Sequence, residues 1–178
     1  MKNLFAIPLV LVSLPVSAEV ICAGCEHDPL AAGTVIGAFN PLTNDIATFT
    51  HTEESSAPFE DFWVFDLTST GVGSISADFT SLAPIADFIG ELWTDAGSVC
   101  DTNSCTDIAL GTLLLTGELT TDRWEIIGGL DAGRYILRVT GDPAQVIGYS
   151  GQMGFGLAEP ATLILMSFGL LFMAMRKD

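Results

Sequence analysis

The chain has 178 residues, with 22 acidic against six basic side chains, a formal charge of −16, and hydrophobic residues at 49%. That charge repels a phosphate backbone and argues against nucleic acid as a partner. The acids are scattered rather than run together, which reads as the surface of a folded domain and not as a disordered tail.

The N-terminus is read first. Lys2 is the only charge before Glu19, Leu4 to Val16 is almost wholly apolar, and Val16-Ser17-Ala18 places small residues at a cut site. A basic start, a short apolar run and small residues make a secretory signal over 1–18, cleaved between Ala18 and Glu19. A spanning helix needs about 20 apolar residues, more than this run supplies. A lipoprotein signal ending at Cys25 is a rival, but Cys22 stands where a leucine is expected and Glu19 interrupts the apolar run.

Residues 19–33 form an N-terminal segment carrying Cys22-Ala-Gly-Cys25. A second pair, Cys100 and Cys105, lies further on. In an exported chain disulfides are the default, and local pairing closes each loop at least entropic cost. Cys22–Cys25 and Cys100–Cys105 are therefore expected, with three connectivities open. The alternative is zinc held by the four cysteines with His27 as a spare ligand. A redox motif would sit at a helix start after a strand, and haem attachment would need His directly after the second cysteine, where Glu26 stands.

From 34 to 157 the pattern is one of short strands and turns. Candidates are 34–39, 46–50, 59–67, 72–79, 86–93, 108–115, 123–127, 134–139 and 146–155, punctuated by Asn40-Pro41, Asn44-Asp45 and glycines such as Gly71, Gly97, Gly117 and Gly141. Period-2 patterning with regular turn signals predicts an all-β domain, a β-sandwich or jelly roll. The strongest strand is Phe59-Glu-Asp61-Phe-Trp63-Val-Phe65-Asp-Leu67. Its odd positions put Phe59, Trp63, Phe65 and Leu67 on one face. Asp61 shares that face, so it must bond turn N–H groups, bind a cation or lie at the rim. Phe62 and Val64 make the other face apolar too, which predicts a central strand.

The C-terminus, 158–178, reads Glu159-Pro160-Ala161-Thr162-Leu163, then an uncharged apolar run to Met175, then Arg176-Lys177. The run predicts a minimal transmembrane helix, with the basic pair on the cytoplasmic side. This order of parts resembles the PEP-CTERM sorting signal, although Ala158 stands where the first proline of that motif usually sits. The resemblance implies recognition by an exosortase-type membrane transpeptidase. It implies an inner-membrane-anchored precursor, then the envelope surface or extracellular matrix of a Gram-negative bacterium that makes exopolysaccharide.

A second resemblance rests on Phe59-x-Asp61-x-Trp63-x-Phe65, on Gly133-Arg-Tyr135-Ile-Leu137-Arg-Val139, and on Gly148-Tyr149-Ser-Gly151. These segments are similar to the FxDxF subgroup of PEP-CTERM proteins and to bacterial pre-peptidase C-terminal domains. The resemblance implies a jelly-roll fold and a destination, but neither an activity nor a catalytic residue.

Motifs for chemistry are few. Gly148-Tyr-Ser150-Gly151 is not a nucleophile elbow, because Gln152 stands where a glycine is needed. His51 lies in Phe49-Thr-His51-Thr-Glu53-Glu54 and reads as a solvated residue at a polar loop entry. Glu53, Glu54, Asp61 and Glu91 have equal claim as catalytic acids, so none is singled out. Asp61 and Asp131 could serve calcium, but no calcium-loop pattern surrounds them and no cofactor or metal is expected. The reading is an exported, non-catalytic surface or matrix protein linked to exopolysaccharide or biofilm. A carbohydrate-binding module using Trp93, Trp124 and Phe155 is the alternative, and a secreted hydrolase is a third class.

Overall fold

The structure is a computed structural model, and it describes residues 18–52, 57–79, 85–119, 123–143 and 148–157. Thirteen strands run through these residues. They are β1 (Val20–Glu26), β2 (Gly33–Phe39), β3 (Ile46–Thr52), β4 (Phe59–Leu67), β5 (Gly71–Phe79), β6 (Ile85–Asp95), β7 (Val99–Cys100), β8 (Ser104–Asp107), β9 (Leu110–Thr116), β10 (Glu118–Leu119), β11 (Arg123–Leu130), β12 (Gly133–Pro143) and β13 (Gly148–Gly156). They form two sheets, here A and B. Sheet A has the order β1-β3-β13-β5-β11-β10, and sheet B the order β7-β8-β2-β4-β12-β6-β9. The domain is an all-β sandwich. Among the described residues no helix is long and apolar enough to cross a membrane. The expectations for residues 1–17 of the leader, and for Glu159, Pro160, Ala161, Thr162, Leu163, Arg176 and Lys177, lie outside the described residues.

The period-2 reading of the sequence becomes the packing of the core. Phe59, Trp63, Phe65 and Leu67 all point inward from β4, as do Tyr135, Leu137 and Val139 from its neighbour β12. From sheet A they meet Ala47 and Phe49 of β3, Ile75 and Ala77 of β5, and Tyr149, Met153 and Phe155 of β13. Burying each large side chain of this kind stabilises the fold by about 1.5–3 kcal/mol. β4 is the middle strand of sheet B, as its two apolar faces predicted. The turn expected between Asn40 and Asp45 is a single 3-10 turn, Pro41–Thr43, capped by the Asn40 side chain and ended by Asn44 in the left-handed region at φ 53.

The outer face of β4 has its own cover. After β6 the chain crosses sheet B to pair β8 with β2 on the far side, then returns to lay β9 beside β6. This excursion sets Cys105 and Ile108 against Val64 and Ile136, with Phe62 and Trp93 around them, in a second, smaller core. The Cys100–Cys105 disulfide lies within it, and Cys22–Cys25 is also bridged. Both expected pairings therefore hold, and the four-cysteine zinc alternative is overturned. The segment 19–33, set apart in the sequence reading, contributes β1 to sheet A, pairing parallel with β3.

The three arginines of the domain are all matched with acids. Arg134 makes a two-pronged bond to Asp66 at 2.9 and 3.0 Å, Arg138 bridges Glu60 and Glu91, and Arg123 lies 3.6 Å from Glu125. Partly exposed pairs of this kind contribute about 0–1 kcal/mol each.

The carbohydrate-platform trio does not survive folding. Trp124 and Phe155 are buried, and only Trp93 is partly exposed. Trp124 lies on the backbone of Gly90, where an added Cβ would stand 2.5 Å from the indole ring. Gly90→Ala is therefore expected to destabilise the domain by about 1–3 kcal/mol through overpacking, read as a lowered thermal midpoint.

Candidate functional site

Strand parity and register build the site. Along β3 the inward side chains are Ala47, Phe49 and His51. In the parallel pairing of β1 with β3, Glu26 lies opposite Thr50, and the His27 N–H donates to the Thr50 carbonyl at 3.0 Å. His27 thus falls beside His51. On the other flank of β3, Tyr149 of β13 lies opposite His51. Three rings therefore stand in a row across one end of sheet A. The two imidazoles stack at 4.7 Å and 22°, and His51 meets the Tyr149 ring edge-on at 5.7 Å.

Sheet B supplies the carboxylate. Asp61 points into this row from β4, and its side chain is 3% exposed. Its Oδ2 pairs with His51 Nδ1 and accepts a hydrogen bond from the Tyr149 hydroxyl, while its Oδ1 lies 3.5 Å from His27 Nε2. Trp63 Nε1 in turn donates to the Tyr149 oxygen at 2.9 Å. Phe59 and Trp63, on either side of Asp61, pack edge-on against His51 and His27. The His27 side chain is 9% exposed, and its Nδ1 finds no hydrogen-bond partner among the described residues.

Electrostatics follow from burial. Desolvation holds the His27 imidazole below its ordinary pKa. Asp61 pulls the other way, and the nearby His51 reinforces the lowering. A neutral imidazole keeps a lone pair. An aspartate–histidine contact also orients the base of hydrolytic triads. Here the carboxylate is shared with a second imidazole and a phenol inside the core. The cluster can hold a proton among its groups or can hold a cation.

The structure revises two sequence expectations. Asp61 bonds side chains from the opposite sheet, not turn N–H groups, and it does not lie at the rim. His51 is buried, not solvated at a loop entry, because it continues the inward row of Ala47 and Phe49. That parity was the signal that could have found it. Asp131 is not part of the site. It is exposed and bonded to Thr70, and it precedes Gly133, which lies opposite Leu67, whereas Val139 lies opposite Asp61. Six strand positions at about 3.3 Å each put Gly133 some 20 Å along the strand from the Asp61 register, with Asp131 beyond it, so the two share no calcium site. Glu91 is engaged by Arg138 and Trp93. Glu53 and Glu54 lie outside the described residues.

No family model matches the chain, and no curated protein does. Among solved structures, the pre-peptidase C-terminal domain of a collagenase from Bacillus anthracis aligns with a TM-score of 0.45 at 13% identity, over 68% of this chain and 95% of that one. A β-glucosidase from Paenibacillus barengoltzii aligns with a TM-score of 0.28 at 15% identity, over 78% of this chain and 13% of the enzyme.

Proposed function

We propose that this is an exported, non-catalytic β-sandwich of the cell surface or extracellular matrix, made with a cleavable signal peptide. Its C-terminal PEP-CTERM-like tail acts as a transmembrane sorting helix for an exosortase-type transpeptidase. The domain is of the pre-peptidase C-terminal, jelly-roll type and belongs with the FxDxF subgroup, in an envelope that makes exopolysaccharide.

The observation that carries this reading is the closure of both cysteine pairs, Cys22–Cys25 and Cys100–Cys105, since such bridges persist in oxidising compartments. The start of the sandwich agrees with it. The Glu19 carbonyl accepts from Ile46 N–H at 2.9 Å, so the residue that would follow cleavage after Ala18 is already tied to sheet A. The motif segments agree as well. Phe59 to Phe65 and Tyr135 to Val139 are adjacent paired strands at the middle of sheet B, in the role of core.

Deleting residues 160–178 is expected to move the domain from the envelope to the periplasm or medium. Cell fractionation with an antibody to the domain checks this, and unchanged membrane association would overturn the sorting reading.

A carbohydrate-binding role is the second reading, now on a different surface. The outer face of sheet A has a shallow depression lined by Thr48, Thr50, Asp78, Ser150 and Gln152 around Gly151. Hydroxyls, an amide and a carboxylate are suited to sugar hydroxyls.

A further inference from the structure

We propose that His27, His51 and Asp61 form a binding site for a divalent transition metal of the zinc class, which ties sheet A to sheet B. The three residues come from two sheets and three separate strands or strand ends, yet their ligand atoms lie within 4.8 Å of one another. Donors around one tetrahedral zinc ion, each at about 2.0–2.2 Å, stand about 3.3 Å apart. The His27 Nε2 to Asp61 Oδ1 separation is already 3.5 Å. Small side-chain rotations would bring the set onto one ion.

The donor chemistry selects the metal. Two imidazole nitrogens and one carboxylate suit zinc, copper or nickel. Calcium asks for six to eight oxygens, which this core does not offer. The surroundings are also those of a ligand set. The Tyr149 hydroxyl, itself oriented by Trp63 N–H, fixes the Asp61 carboxylate, as an outer partner does for a metal-bound carboxylate. That His27 Nδ1 has no hydrogen-bond partner among the described residues is an independent sign that the cluster is not satisfied by its own members. A buried polar atom without a partner is costly, and the imidazole can present either nitrogen to an ion.

The test uses the full chain, stripped of metal with a chelator and titrated with zinc sulfate. The thermal midpoint is expected to rise with zinc concentration, because an ion bound only by the folded state stabilises it by mass action. One equivalent should bind. Cobalt should give visible bands of a nitrogen- and oxygen-ligated ion. His27→Ala, at the end of edge strand β1, should weaken zinc binding at least about tenfold. Asp107→Asn, exposed on β8, should leave it unchanged. Three results would overturn the proposal: no midpoint shift and no cobalt spectrum in the wild type, an equal shift in His27→Ala, or an equal shift with calcium in place of zinc. The wild-type cobalt spectrum decides the matter even where a variant fails to fold.

Discussion

Replacing Trp63 by alanine is expected to lower the stability of the domain by about 3–5 kcal/mol, through lost burial and the cavity left behind. Trp63 is fully buried on the middle strand of sheet B, paired with Leu137 on one side and Thr34 on the other. Its ring meets Phe49 at 5.0 Å and His27 at 5.7 Å, so it packs the two sheets together. Neighbours on both sheets would have to move together to fill the space, and a close-packed interior relaxes only in part. The indole N–H adds a second loss, because its hydrogen bond to the Tyr149 oxygen goes with it. Trp63→Phe keeps most of the ring and removes only that bond and some volume, so it should cost clearly less. Urea unfolding measures both, as a lowered midpoint at constant slope. Equal stability of Trp63→Ala and the wild type would contradict the core assignment.

Asp61→Ala should have an effect of similar size, about 3–5 kcal/mol, for a different reason. Its loss removes one contact from three groups at once: the His51 Nδ1, the Tyr149 hydroxyl and the His27 Nε2. Asp61→Asn keeps the shape and one acceptor oxygen, and should cost nearer to one charge-assisted bond, about 1.5–3 kcal/mol. Measured in chelator, so that no bound ion contributes, the gap between the two variants reads the contacts that only alanine removes. If Asp61→Ala cost no more than Asp107→Ala at an exposed position on β8, the buried network would contribute nothing to stability.

Much of this architecture was legible in the chain. Alternation from Phe59 to Leu67 placed four side chains in the core, and the apolar Phe62 and Val64 announced a strand covered on both faces. Local spacing gave both disulfides. Three things were not legible, for physical reasons. The cover on the outer face of β4 comes from an excursion between β6 and β9, and no local pattern says that a hairpin crosses a sheet. The strand at Val20–Glu26 was set apart with 19–33 as an N-terminal segment, because only pairing with a distant strand, β3, makes it part of sheet A. The site itself is a matter of register. His27, His51 and Tyr149 are neighbours only once β1, β3 and β13 lie side by side. Asp61 reaches them only across the sandwich. His51 alone could have been found earlier, by extending the parity of Ala47 and Phe49 by two residues instead of reading the polar residues around it.

The order of strands also governs when the protein can fold. Sheet B is centred on β4 and β12, where Arg134 and its partner Asp66 are 68 positions apart in the chain. Sheet A holds β13, the last strand of the described residues, between β3 and β5. The Trp63–Tyr149 bond spans 86 positions. Neither sheet can close until the C-terminal strands arrive. Pairing of this kind must meet a large loop-closure entropy before any contact rewards it, and all-β domains built so fold in about milliseconds to seconds. A growing chain of this topology therefore stays unfolded until β12 can join β4 in sheet B and β13 can take its place between β3 and β5 in sheet A.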